Sequence, residues 1–183
     1  YLWDAGTPLF SGSYPPLSYY MVAAIASAFR LTPEKALTTL SALSFLINGL
    51  CIYGFTKNAT GSRFASLLAT LLMTFTPAYW SWWISGGNYG RVISVGFFGL
   101  SLYLASLLIK KPESKLLKVF LPVSVTLAIG CHLVSGVPAM VGVSIMLMFS
   151  SKSLRRGIVR TLELWVSIAG LSAFYVAQLL FSN

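Results

Sequence analysis

The sequence predicts an all-α fold, a polytopic transmembrane helical bundle of about six spanning helices with one short additional helix and aromatic outer loops. Hydrophobic residues make up 56% of the 183 residues and charged residues only 9%. Apolar runs of helical length recur along the whole chain, as in integral membrane proteins. The lysines and arginines lie between these runs, where they orient membrane spans.

The net charge of +9 could also suggest a nucleic-acid-binding protein. The distribution of the basic residues between hydrophobic runs favours a membrane protein instead, so we expect the lipid bilayer and no nucleic acid as a partner. Cys51 and Cys131 fall inside apolar runs. There they are expected to be small buried side chains and not a disulfide or a metal pair.

Residues 1–20 form the longest stretch that is not suited to a membrane span. Prolines remove backbone donors and glycines add turn freedom, while several tryptophan, phenylalanine and tyrosine side chains suit a membrane–water interface. The stretch contains Asp4, one of only four acidic residues, and Tyr14. We expect it to cap the bundle and to form one wall of a site at its mouth.

The first predicted helix, 16–29, is short. At about 1.5 Å per residue it is roughly 21 Å long, less than the ~30 Å thickness of the hydrocarbon core. It is therefore either a re-entrant helix or one that spans a thinned region. Ala23 and Ser27 are small residues four positions apart, a spacing that suits close helix packing.

The remaining helices follow in order. Thr32 is a predicted N-cap, Pro33 fits the first turn, and Glu34 meets the positive end of the helix dipole. Predicted helices cover 33–55, 64–75, 92–109, 116–132, 137–149 and 161–181. No linker or repeat divides the chain, so 1–183 is predicted to be one transmembrane domain, a fragment of a larger membrane protein.

The basic connections predict the orientation of the bundle. Residues 110–118 and 150–160 are expected on the cytoplasmic side, and by parity the connection at 57–63 joins them there. The loop 78–91 and the turn 132–138 are then outside. If helix 16–29 is re-entrant, the opening stretch is also outside; if the helix spans, that stretch is cytoplasmic.

Two residues of these outer segments could bind an anion. Arg91 follows a glycine-rich loop containing Asn88 and Tyr89, where backbone N–H groups and a bidentate guanidinium could hold a phosphate. Alternatively, Arg91 reaches to lipid headgroups from an ordinary interfacial turn. His132, the single histidine, could bind phosphate or transfer a proton, or it could cap the end of a helix.

Asp4 is the candidate acid. A single carboxylate holds Mg²⁺ or Mn²⁺ only when substrate phosphates and waters complete the coordination shell. It could equally be an ordinary turn residue. Asp4 is therefore the predicted catalytic and metal residue, and Tyr14, Asn88, Tyr89, Arg91 and His132 are the predicted substrate-binding residues.

The order of motifs resembles a known superfamily. The chain has Gly-Thr-Pro-Leu-Phe-Ser-Gly at 6–12, Tyr-Pro-Pro-Leu at 14–17, two apolar helices, Phe-Thr-Pro at 75–77 and Gly-Gly-Asn-Tyr-Gly at 86–90. This resembles the GT-C polytopic glycosyltransferases, which include oligosaccharyltransferase catalytic subunits and protein mannosyltransferases. More narrowly, residues 1–110 resemble prokaryotic, often archaeal, membrane proteins described as related to 6-pyruvoyl-tetrahydropterin synthase.

The resemblance implies transfer of a sugar from a polyprenyl-phosphate donor on the outer face of the cell membrane, with a divalent metal held by acidic residues. Oligosaccharyltransferases have Ala-Gly-x-Tyr-Asp-Asn-Glu in the second outer loop. Here the matching stretch is Gly-Gly-Asn-Tyr-Gly-Arg-Val at 86–92, so the acids are absent. A non-catalytic membrane scaffold or lipid-binding subunit with the same fold is the alternative.

Overall fold

The computed structural model describes the backbone of residues 2–3, 7–8, 17–77, 80, 89–151 and 153–181. Side chains are described within 17–77, 80, 89–151 and 153–173. The described part is helical apart from an antiparallel pairing of two short strands, Leu2–Trp3 (β1) with Thr7–Pro8 (β2). Its helices are α1 Leu17–Phe29, α2 Pro33–Thr60, α3 Arg63–Thr74, α4 Tyr89–Lys110, α5 Lys115–Cys131, α6 Leu133–Phe149 and α7 Leu154–Phe181.

The start of α2 is the one that the sequence predicts. Thr32 is the N-cap, and its hydroxyl accepts a hydrogen bond from the backbone N–H of Lys35 at 3.4 Å. Pro33 is the first helical residue, where its missing N–H costs nothing. The helix ends at Gly61, whose φ of 72° is left-handed and favours glycine. It therefore extends about a turn beyond the predicted end near residue 55.

Helices α2 and α4 run parallel and pack closely. A Cβ added to Gly96 would lie 3.1 Å from the Cα of Ser44, so the two backbones approach each other at this position. Further along both helices, Asn58 donates to the hydroxyl of Ser106 at 3.0 Å and accepts from the Nζ of Lys110 at 2.9 Å. Contacts through small residues of this kind let membrane helices associate without bulky side chains.

Helices α4 to α7 alternate in direction around a shared apolar core. Ser94 donates to the carbonyl of Ala128 at 2.7 Å, and Ser101 shares a 2.9 Å hydrogen bond with Ser124, so α5 runs antiparallel to α4. Helices α6 and α7 complete this part of the bundle. Its core consists of buried apolar residues from all four helices: Ala105, Leu108, Leu121, Val125, Val143, Leu147, Leu164 and Ile168.

The two ends of the bundle differ in charge. The basic end is the one where α2, α4 and α6 finish, and it carries the three basic connections, 57–63, 110–118 and 150–160. Nine described cations lie there: Lys57, Arg63, Lys110, Lys111, Lys115, Lys118, Arg155, Arg156 and Arg160. The His132 end is the opposite one, where α4 and α6 begin. The three connections thus share one end, as the parity argument predicts.

Helix α1 stays at the His132 end. Leu17, its first residue, lies against Gly130, one of the last residues of α5. The helix packs on a small cluster formed by Leu40, Ile93 and Cys131, each near the start of α2 or α4 or the end of α5. Since α2 also begins at this end, both ends of α1 lie near it. The choice between a re-entrant and a spanning α1 depends on where the bilayer lies and stays a prediction.

Polarity is distributed as in a protein surrounded by lipid. Small polar side chains lie inside the bundle, including Ser41, Ser44, Asn48, Ser94, Ser101 and Ser124. Large apolar side chains lie outside, including Leu46, Leu50, Leu67, Leu72, Val141, Ile145, Leu162 and Val166. A water-soluble domain rarely exposes apolar surface on this scale. The arrangement instead matches membrane helices that meet through small and polar residues.

The number of helices that satisfy the criteria for a span is smaller than predicted. Among the described residues, only α2 and α4 are both long and apolar enough to cross a membrane, against about six expected. Helices α1, α3 and α6 are apolar but shorter. The 12 residues of α3 reach only about 18 Å, so the six-span bundle stays a prediction beyond these two helices.

Three predicted helix starts are also wrong, each being too late. Helix α4 begins at Tyr89 and not at 92, α6 at Leu133 and not at 137, and α7 at Leu154 and not at 161. The predicted starts followed hydrophobicity. Basic residues and serine are tolerated in a first helical turn, and a proline early in α6 removes at most one hydrogen bond.

Candidate functional site

His132 is the single residue between α5 and α6, and it caps both helices. Its backbone is extended, with φ −162° and ψ 108°, which interrupts the helical path. Its N–H donates to the carbonyl of Ala128 at 3.0 Å and so closes α5. Its imidazole Nδ1 accepts from the backbone N–H of Ser135 at 3.2 Å and lies 2.9 Å from the Ser135 hydroxyl. The side chain therefore acts as the N-cap of α6.

A glycine makes this corner possible. The N–H of Gly136 donates to the carbonyl of His132 at 2.9 Å. A Cβ at Gly136 would lie 2.5 Å from the backbone nitrogen of Ile129 in α5. Because such a contact involves backbone, it cannot be relieved by a rotamer change. Gly136 thus allows α6 to turn back directly against α5 and fixes the position of His132.

The hydrogen bonds of His132 define its protonation state. A ring nitrogen that accepts from a backbone N–H must carry a lone pair, so the neutral imidazole has its proton on Nε2. Burial lowers the pKa of His132, and the positive charge of Arg91 lowers it further. His132 is therefore a neutral residue at physiological pH, with Nε2–H as its donor.

Arg91 lies in the first turn of α4, half-buried, within electrostatic reach of His132. One turn later, the buried hydroxyl of Ser94 bonds to the Ala128 carbonyl. This bond fastens the start of α4 to the last turn of α5. The guanidinium and the imidazole are therefore placed by rigid helices and by a buried hydrogen bond.

Helix dipoles add positive potential at the same place. The parallel helices α4 and α6 both begin at the His132 end, and neither has an acidic residue in its first turn. A helix N-terminus carries about half a positive charge and presents unsatisfied N–H groups. Glu34 offsets this charge at the start of α2. The region around Arg91 is consequently suited to an anion.

The structure brings together two of the predicted site residues, Arg91 and His132. Arg91 and Tyr89 belong to the first turn of α4, so the prediction that they lie in an outer loop is wrong. The predicted turn 132–138 is likewise helical from Leu133 onwards. Three other predicted site residues, Asp4, Tyr14 and Asn88, lie outside the described residues.

The predicted divalent metal stays a prediction, because its predicted ligand Asp4 lies outside the described residues. No group of three His, Cys, Asp or Glu side chains within the described ranges could hold a metal ion. At the His132 end, the described residues include one carboxylate, that of Glu34, whereas Mg²⁺ and Mn²⁺ prefer several oxygen ligands. The nearby Arg91 cation also opposes a second cation.

Sequence reasoning missed Ser94 and Ser135, which position the site. Ser135 could have been found, because a serine three residues after the end of one helix often belongs to the cap of the next. Ser94 gave no such signal. It is one of many serines in apolar runs, and only the packing of α4 on α5 shows which carbonyl it reaches.

The apolar exterior, the buried hydroxyl groups and the charge difference between the ends define a helical membrane protein. The chain belongs to the family of the 6-pyruvoyl-tetrahydropterin synthase related domain, described as a membrane protein, whose model matches residues 13–179. No curated protein and no solved structure matches the chain. The family match confirms the narrower resemblance drawn from the sequence and carries no information on sugar transfer.

Proposed function

We propose that this is a multi-pass protein of the plasma membrane that binds the phosphate of a polyprenyl-phosphate-linked sugar at its His132 end. The observation that carries the proposal is the position of Arg91. Its charge lies beside the neutral His132. Helices α4 and α6 both begin at this end, and neither has an acidic residue in its first turn. The three basic connections at the opposite end support an outer location of this site.

The multi-pass arrangement is supported by the exposed apolar surface. Helices α2 to α7 all carry large apolar side chains on their outer faces or pack against helices that do. We propose that these six helices are embedded in the bilayer and that α1 lies at the outer interface. Helices α5 and α6, with 17 residues each, span a slightly thinned bilayer, whereas the 12-residue α3 needs stronger thinning or a continuation to complete a crossing.

Chemically, Arg91 can form two parallel hydrogen bonds to phosphate oxygens, a geometry that lysine lacks. The positive ends of the α4 and α6 dipoles add electrostatic stabilisation. Together these groups would stabilise the negative charge that develops on a departing lipid phosphate.

Sugar transfer is the finer proposal. It requires a base for the acceptor, and the resemblance assigns this role to Asp4, which lies outside the described residues. A non-catalytic lipid-binding subunit is the second candidate. One observation favours the binding subunit. The carboxylate described at this end is that of Glu34, which is exposed in the first turn of α2 and interacts favourably with the helix dipole there.

The test compares two lipids that differ only in charge. The purified protein in lipid nanodiscs is titrated with a polyprenyl phosphate and with the uncharged polyprenol of the same chain length. The proposal expects clearly tighter binding of the phosphate, with an affinity that weakens as salt concentration rises. Equal affinity for both lipids would contradict it. Transfer from a radiolabelled polyprenyl-phosphate sugar to an acceptor then separates a transferase from a binding subunit.

A further inference from the structure

A cavity lies at the opposite, basic end of the bundle, between α5 and α7. It measures about 380 Å³. Residues from both helices line it, chiefly Lys118, Leu121, Arg156, Arg160, Glu163 and Leu164. It is at the far end of the bundle from Arg91 and His132, so it is not part of the site already described.

The rim of this cavity is positively charged. Lys118 projects from the first turn of α5, and Arg156 and Arg160 are one turn apart on α7. Two carboxylates oppose these three cations: Glu163, which is the one acidic lining residue, and Glu113, which lies 3.9 Å from the Nζ of Lys118 in an exposed ion pair. Arg160 is half-buried, whereas Arg156 is exposed. The rim therefore carries a net positive charge, with one guanidinium partly withdrawn from water.

The floor of the same cavity is apolar. Leu121 and Leu164 are nearly fully buried and belong to the main core cluster. Beyond the floor, a second groove continues along the outer face of α7, lined by Leu162, Val166 and Ser167. Both grooves share Glu163, so they are contiguous. Apart from Glu163 and Ser167, the lining beyond the rim is apolar, so charge at one end and mainly apolar surface along the rest match an amphipathic ligand.

The length of the cavity also favours a lipid over a small anion as the ligand. Along α7 the lining extends from Arg156 to Ser167. Eleven residues of α helix correspond to about 16 Å, which is several times the size of a phosphate ion. A headgroup phosphate at the rim would leave the rest of this distance for glycerol and the upper part of an acyl chain.

We propose that this groove binds an anionic phospholipid from the cytoplasmic leaflet, with its phosphate among Lys118, Arg156 and Arg160 and one acyl chain along α7. Basic pockets between membrane helices on the cytoplasmic side select anionic headgroups in this way. Glu163 repels a phosphate that moves deeper and so keeps the headgroup at the rim. The acyl chain of the lipid follows the groove past Leu162 and Val166.

Native mass spectrometry of the full chain in detergent tests this assignment, with phosphatidylglycerol and phosphatidylcholine of identical acyl chains added in competition. The expected result is preferential retention of one phosphatidylglycerol. Arg160→Gln should weaken that retention about tenfold, as for one lost charge-assisted hydrogen bond. Arg160→Lys should retain part of it, and Glu163→Gln should strengthen it.

Arg155→Gln is the matched control. Arg155 belongs to the same basic segment and is exposed, but it does not line the cavity. The substitution removes the same charge and should leave retention unchanged. Equal retention of both lipids, or equal weakening by Arg155→Gln and Arg160→Gln, would overturn the proposal. Displacement of phosphatidylglycerol by millimolar inorganic phosphate would also overturn it, since the groove would then be a site for free anions.

Discussion

The imidazole Nδ1 of His132 accepts the backbone N–H of Ser135 at 3.2 Å and thereby caps α6 with a titratable group. Protonation of Nδ1 would remove the acceptor. It would also place a positive charge beside Arg91 and at the positive end of the α6 dipole. The cap is therefore available only to the neutral histidine.

This relationship predicts a pH-dependent stability. The pKa of folded His132 is lowered, so the unfolded chain takes up the proton first. The contribution of neutral His132 to the free energy of unfolding is complete above about pH 6.5, the ordinary histidine pKa. It is lost as the pH falls through the lowered pKa of His132 in the folded state. Thermal unfolding in detergent between about pH 8 and about pH 5 measures it.

His132→Asn is the control for this prediction. Asparagine caps helices without titrating in this range, so the unfolding temperature of the variant should depend less on pH than that of the parent chain. An identical pH profile for both chains would show that the cap is not the origin of the effect.

Close packing of α2 on α4 predicts an unequal response to Gly→Ala substitutions. A Cβ at position 96 meets the Cα, carbonyl oxygen and Cβ of Ser44 within about 3 Å, so Gly96→Ala forces the backbones apart. We expect a loss of about 1–3 kcal/mol in unfolding free energy. Gly170→Ala is the matched control, because nothing lies within 4 Å of a Cβ there.

In that control the exposed helical position should gain up to about 1 kcal/mol from the better helix propensity of alanine. Denaturation of both variants in the same detergent measures the contrast. Comparable effects of the two substitutions would mean that α2 and α4 do not approach as closely as described.

The separation of the two ends predicts a labelling pattern. Lys35 is exposed at the start of α2, at the His132 end, and Glu113 is exposed in a connection of the basic end. A membrane-impermeant maleimide applied to intact cells should label Lys35→Cys and not Glu113→Cys. The native Cys51 and Cys131 are buried and provide a low background. Labelling of both positions from outside would contradict the orientation.

The sequence predicted the helical class, the membrane environment and the start of α2, because these depend on composition and on local caps. Only two of the about six predicted spans meet the length and composition of a span among the described residues, since hydrophobicity does not show where a helix such as α3 ends. The sequence identified Arg91 and His132 from their rarity among uncharged neighbours. It could not show that they meet, because this depends on the antiparallel packing of α4 and α5.

The basic groove escaped prediction for a related reason. The sequence predicts Arg156 and Arg160 in a connection before the helix 161–181, whereas they lie inside α7 on the same face as Glu163. Their partner Lys118 is about forty residues away in α5. Only the folded bundle shows that these side chains surround one cavity.

Binding of a polyprenyl phosphate by Arg91 variants tests the central claim most directly. In nanodiscs, Arg91→Gln should weaken binding about tenfold or more through the loss of a bidentate contact, and Arg91→Lys should weaken it less. Lys35→Gln removes an exposed charge from the same end and should leave the affinity nearly unchanged. If Arg91→Gln binds polyprenyl phosphate as tightly as the parent chain, or no more weakly than Lys35→Gln, the His132 end is not the phosphate site.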